Sequence, residues 1–158
     1  MIRHYKSGDH IALAEIFSKA VQEIASYDYT QEQCDAWASL DINYAHWERR
    51  CELKRPFISQ NANGDIEGFL ELDPDGHIDC AYVNPNYQRR GVVTRLCKHA
   101  IQTCFNFGID RIYVEASICA MPLFQKLGFV VMTEKLVRIG EEELKNYEMQ
   151  LIPSKCEG

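Results

Sequence analysis

The sequence predicts one domain of the mixed α/β class, a twisted sheet with helices packed against it. Three observations predict it. The chain has 158 residues, enough for one full core and short for two. Between Pro56 and Val83 the apolar runs are divided by Asn63-Gly64 and Pro74-Asp75-Gly76, turn signals that fold a chain into an antiparallel meander. From Ile78 to Ala116 the pattern reads strand, turn, long amphipathic helix, strand. Such a crossover sets its two strands parallel.

The elements follow in order. Ile2 to Lys6 reads as a short strand. Ile11, Ala14, Ile16, Phe17, Ala20, Val21 and Ile24 recur at helical spacing and predict a helix from about Asp9 to Ala25. An aromatic segment, Tyr27 to Trp47, comes next. Within it Thr30-x-x-Gln33 is a capping box opening a short helix through Trp37, and Asp41 is placed to cap another through about Glu52. Phe57–Gln60, Ile66–Leu72 and His77–Val83 are the meander strands. Val92, Val93, Leu96, Cys97, Ala100, Ile101, Cys104 and Phe105 share one face of a helix from Val92 to about Phe107, and Gly108 supplies a left-handed stop. Arg111 to Ala116 is a strand. Pro122 suits the first turn of a helix through Leu127, ended by Gly128. Val130–Arg138 and about Asn146–Ile152 make a final strand pair. The expected sheet has six or seven strands flanked by about four helices, with residues 1–153 as the domain and 154–158 as a flexible tail.

Composition excludes several classes. The net charge of −6 argues against a nucleic-acid partner, which normally meets a basic stripe. No run of about 18 apolar residues is present, so no membrane span or membrane partner is expected. Met1 to Lys6 lacks the apolar core of a signal peptide, which points to a cytoplasmic protein. The seven cysteines are odd in number and show no C-x-x-C pair, which favours reduced thiols. The five histidines have no metal-ligand spacing. No metal is expected, and no histidine reads as the catalytic base. Neither G-x-G-x-x-G nor G-x-x-x-x-G-K-[ST] occurs, which counts against nicotinamide and ATP enzymes.

The chemistry concentrates at Gln88-Arg89-Arg90-Gly91-Val92-Val93. This turn leads from a strand into a helix, whose first amides lack partners and whose dipole is positive there. Gly91 removes a side chain where a phosphate must approach the backbone. Arg89 and Arg90 can pair with phosphate oxygens. Together they read as a pyrophosphate cradle for a phosphate-bearing cofactor. Just upstream, Asp79 interrupts an apolar strand. A carboxylate there needs a cleft or a partner and is the leading catalytic candidate. Glu115 on the neighbouring strand is the second. Tyr27, Tyr29, Trp37 and Trp47 are concentrated near the N-terminal helices, and side chains of this type can wall a pocket for an apolar or cationic group.

The order of elements and two motifs resemble the GNAT acetyltransferase superfamily. Gln88-Arg89-Arg90-Gly91-Val92-Val93, introduced by Val83-Asn84-Pro85-Asn86-Tyr87, is similar to its Q/R-x-x-G-x-G/A loop. Phe124-Gln125-Lys126-Leu127-Gly128-Phe129 is similar to its Y-x-x-x-G-F element. Tyr29-Thr30 through Trp37, followed by Trp47, resembles a YafP-like bacterial subgroup. The resemblance implies a GNAT-like fold splayed between strands 78–83 and 111–116, with acetyl-CoA as cosubstrate. It implies pantetheine beside Tyr82 and Val83, pyrophosphate on the amides of 88–93, and contacts from Ser117 and Phe124. The acceptor it implies is a primary amine of a small molecule or peptide, beneath Tyr27, Trp37, Trp47 and Glu115. The amine would be deprotonated by Asp79 or a water it orients, and would attack the thioester directly in a ternary complex. A homodimer is also in keeping with the family.

Two positions depart from the pattern. Val93 stands where Gly or Ala is usual. Phe124 replaces the tyrosine that protonates the leaving thiolate, so Ser117, Cys119 or Tyr82 must supply that proton, directly or through water, unless the thiolate leaves unaided. These departures keep open a non-catalytic acyl-CoA sensor module. An acetyltransferase acting on aminoacyl-tRNA is disfavoured by the acidic balance.

Overall fold

The computed structural model describes residues 1–151. The expected domain end at 153 and tail at 154–158 lie outside them. The sheet has seven strands: β1 (Ile2–His4), β2 (Phe57–Gln60), β3 (Ile66–Leu72), β4 (His77–Val83), β5 (Ile112–Ser117), β6 (Val130–Ile139) and β7 (Glu142–Leu151), in the order β1-β2-β3-β4-β5-β7-β6. The helices are α1 (His10–Glu23), α2 (Gln31–Trp37), α3 (Tyr44–Lys54), α4 (Val92–Asn106) and α5 (Met121–Lys126), five where about four were expected.

Local chemistry explains most boundaries. Thr30 accepts from the Gln33 amide while the Gln33 side chain accepts from the Thr30 amide, closing the capping box that starts α2. The cap of α3 differs from expectation. Asn43, not Asp41, accepts the His46 amide at 3.0 Å. β7 also starts earlier than expected, because Glu142 and Glu143 pair with Ile139 and Arg138 of β6.

The sheet is covered on both faces. The larger core joins α4 and α5 to one face through Leu96, Cys97, Ala100, Ile78, Val114 and Phe124. On the other face, α1 and α3 pack Leu13, Ile16 and Cys51 against Ile58 and Phe69. Trp47 belongs to this second layer, with its ring 5.1 Å from Phe17 and 6.0 Å from Phe69.

Two irregularities position the site. β4 and β5 run parallel and, among the described residues, pair only at His77–Tyr113 and Ile78–Val114. Beyond these the strands part, and the β4 edge facing β5 is left open. Across β3 and β4 the register shifts between Glu71 and Leu72, so Asp79 has no opposite residue. A bulge of this kind re-aims a side chain, and here it turns Asp79 toward α3.

Candidate active site

The turn after β4 presents unsatisfied amides. Gly91 caps α4 with φ of 78°, a left-handed conformation, and no side chain caps the helix. Among the described residues, the amides of Val92, Val93 and Thr94 find no protein acceptor. Arg89 also has positive φ, 68°. Held strain of this kind in a non-glycine residue clusters at functional sites. Arg89 lines the adjoining cavity, whereas Arg90 lies over the Tyr87 ring at 5.5 Å and does not.

That cavity, about 260 Å³, fills the gap between the parted strands. Its walls include Tyr82, Val83, Gln88, Arg89, Gly91, Val92, Val93, Ser117, Cys119 and Phe124. Nine of the ten residues expected at the cofactor therefore line it, Arg90 being the exception. Asn84 donates its amide to Glu67 O on β3 at 2.7 Å. Alternation along a strand then points the preceding amide, that of Val83, toward the gap. Phe124 is buried at 2% exposure and packs against Phe129 with ring centres 5.2 Å apart.

A second cavity, about 200 Å³, opens beside the first. Tyr29, Trp37, Tyr82, Val137, Ile139 and Leu144 give it apolar and aromatic walls, and Asp79, Glu115, Ser117, Lys145 and Asn146 give it polar ones. Trp37, Tyr82 and Ser117 line both cavities, so the two meet at the open edges of β4 and β5. Tyr29 fixes one wall. Its hydroxyl donates to Lys145 O and accepts the Ile118 amide, and burial pushes its pKa up to about 12. Tyr27 and Trp47, both expected at the acceptor, line neither cavity. Tyr27 is 87% exposed, and Trp47 is fixed in the α1/α3 layer.

Asp79 faces the smaller cavity but is not free. Its Oδ2 accepts from Arg50 Nη2 at 3.0 Å and from Lys54 Nζ at 2.7 Å. Burial works to raise its pKa. The Lys54 hydrogen bond and the two positive charges outweigh burial and hold the carboxyl below its ordinary value of 3.8. With two cations on Oδ2, Asp79 is a weaker proton acceptor than the free carboxylate expected from sequence.

The other proton donors differ in fitness. Burial drives the Tyr82 hydroxyl strongly upward in pKa, which makes it a poor acid. Ser117 Oγ lies 3.1 Å from Cys119 Sγ and accepts the Ala120 amide at 3.2 Å. Burial raises the Cys119 thiol above 9.0. This Ser117–Cys119 pair stands on the wall shared with Phe124.

Sequence reasoning did not find Arg50, Lys54, Glu71, His77 or Asn146. Arg50 grips the fully buried Glu71 through Nε and Nη2 at 2.6–3.1 Å. No local signal marks these residues, because each looks like a solvated polar or charged side chain until strand register brings them together.

The cleft between the parted parallel strands thus has two adjoining cavities, with orphaned amides on one side and carboxylates on the other, an arrangement able to hold a phosphate-bearing group beside a second small molecule. The family profile described as Acetyltransferase (GNAT) domain matches residues 25–151. The chain belongs to this family of N-acetyltransferases. It is 31% identical over 152 residues to the N-acetyltransferase YafP of Escherichia coli (strain K12), covering 96% of this chain and 95% of that one. A GCN5-related N-acetyltransferase from Rhodopseudomonas palustris superposes with a TM-score of 0.90 at 31% identity, over 96% of this chain and 94% of the other. The acetyltransferase yncA from Salmonella typhimurium, solved with acetyl-CoA, gives 0.72 at 20% identity over 96% and 92%. No helix among the described residues is long and apolar enough to cross a membrane.

Proposed function

We propose that the larger cavity takes acetyl-CoA and that the acetyl group passes to a primary amine held in the smaller one. The observation that carries this reading is the shared wall of Trp37, Tyr82 and Ser117, across which a thioester in one cavity can meet an amine in the other. The orphaned amides of Val92 to Thr94 suit the pyrophosphate, with Arg89 beside them. Acetyl-CoA supplies the activated acyl group, and the chain's residues supply binding and charge. Glu115 faces the amine from the polar wall of the smaller cavity. The Val83 amide, pointed into the gap, is placed to stabilise the developing oxyanion. Phe124 cannot donate a proton, so Ser117 with Cys119 is the nearest hydroxyl–thiol pair that can lead one to the departing sulfur.

Release of free CoA thiol from acetyl-CoA, measured with and without primary amines, tests the reading. Amine-dependent release supports it. The position of Phe124 also fits a module that senses acyl-CoA without transfer. Binding of acetyl-CoA with no amine-dependent release would favour that second reading.

A further inference from the structure

The acidic end of the smaller cavity carries a chain of groups not yet used. Glu115 lies on the same face of β5 as Tyr113 and Ser117. Its Oε1 is 2.7 Å from His77 Nε2, and His77 Nδ1 is 3.1 Å from Asp73 Oδ2. The imidazole thus has a carboxylate on each nitrogen. It is clamped further by Tyr113, stacked at 4.7 Å and 21°. Away from this end the wall is mostly apolar, and buried Asn146 Oδ1 has no partner.

We propose, resting on the acetyltransferase reading above, that this cavity takes a primary amine with a compact apolar body, and that Glu115, backed by His77, receives the proton its ammonium loses. The shape carries the first half. A space of about 200 Å³ with aromatic and aliphatic walls and the Glu115 carboxylate at one end fits one cation on an apolar body. The Asn146 oxygen offers a further acceptor for an amine N–H.

The geometry around His77 carries the second half. Asp79 is consumed by two cations, but Glu115 contacts an imidazole. His77 Nε2, 2.7 Å from Oε1, gives a proton taken up by Glu115 a second place to go. Other charged groups face His77 from every side. Asp73 comes from the turn before β4, Glu115 from β5 and Asp79 from its own strand. Lys54 of α3 bridges Asp73 and Asp79. Arg111 covers the Tyr113 ring, and Asp75 accepts from the Tyr113 hydroxyl. Burial disfavours the imidazolium, but the bonds to Glu115 and Asp73 outweigh it and hold the His77 pKa above 6.5.

The step balances. The ammonium gives one proton to the Glu115–His77 pair, which releases it to solvent. The amine nitrogen forms a C–N bond to the acetyl carbonyl. The C–S bond breaks with its electrons on sulfur. The second nitrogen proton ends on the thiolate, giving amide and CoA thiol.

The test measures kcat/KM by CoA release across pH with phenethylamine as the probe and spermidine as the comparator. The expected result is at least roughly tenfold preference for phenethylamine and one bend in the profile between about pH 6 and 8. Glu115→Gln lowers kcat/KM about 100-fold. His77→Gln removes the bend. Both variants keep the wild-type melting shift with acetyl-CoA. Equal or better use of spermidine, no turnover of phenethylamine by a protein that acetyl-CoA stabilises, or an unmoved bend in His77→Gln would each overturn the proposal. Wild-type protein with no acetyl-CoA shift would instead overturn the underlying acetyltransferase reading.

Discussion

Arg50→Met would strip Glu71 of its cation while leaving the carboxylate where it is. Glu71 is 0% exposed, and Arg50 holds it through three contacts, the shortest 2.6 Å. Breaking a buried ion pair from one side costs about 3–5 kcal/mol, because the abandoned charge stays desolvated. Methionine preserves the packing of the arginine stem, and Lys54 still neutralises Asp79 at 2.7 Å. The loss therefore falls toward the lower end, about 3 kcal/mol. For a chain of this size each kcal/mol moves Tm by about 2–4 °C, so the melt drops by about 6–12 °C. Urea unfolding at pH 7 measures the free energy and thermal melting the shift. The double variant Arg50→Met/Glu71→Met removes both charges and recovers all but about 1 kcal/mol. A single-variant loss below about 1 kcal/mol, or a double variant no better than the single, would refute the reasoning.

Other perturbations follow from the same geometry. Gly91→Ala forces a side chain into φ of 78°, costing about 1–2 kcal/mol, and weakens acetyl-CoA at least roughly tenfold by calorimetry as the cradle shifts. Unchanged affinity would remove Gly91 from the cradle. Asp79 has its folded pKa held below 3.8, so the stability it contributes is complete above that value and is lost as pH falls through the folded pKa. The Tm gap between wild type and Asp79→Asn is therefore constant from about pH 5 to 8 and closes under more acid conditions; a gap that widens in acid contradicts the ion pairs. Val93→Ala leaves acetyl-CoA affinity within about threefold, because the backbone amide and not the side chain meets the phosphate. Tenfold tighter binding would show that Val93 crowds the cradle.

How much of this was legible in the sequence depends on the range of the interaction. The capping box at Thr30, the Asn63-Gly64 hairpin and the Gly91 turn are local devices, and each appears where its residues say. The cap of α3 failed locally: Asp41 and Asn43 are both good caps, and the choice fell to Asn43, whose side chain reaches the His46 amide. The start of β7 failed at longer range. Glu142 and Glu143 look like loop residues, and pairing with β6 makes them strand. The site divided the same way. The turn at Gly91 with its unpaired amides was readable because six consecutive residues carry it. The ion network was not, because Arg50 and Lys54 meet Asp79 from 29 and 25 positions away, across a bulge no pattern marks. Tyr29 and Tyr27 are interchangeable in sequence. In the structure one anchors the cavity wall and the other faces solvent.

The central claim is that the cleft between β4 and β5 holds acetyl-CoA, and a melt with acetyl-CoA, ATP and NAD tests it most directly. At 100 times its Kd a ligand adds about 2.7 kcal/mol, a rise of about 5–11 °C for this chain. That rise is expected with acetyl-CoA and none with ATP or NAD. No rise at millimolar acetyl-CoA, or equal rises with all three, would contradict it.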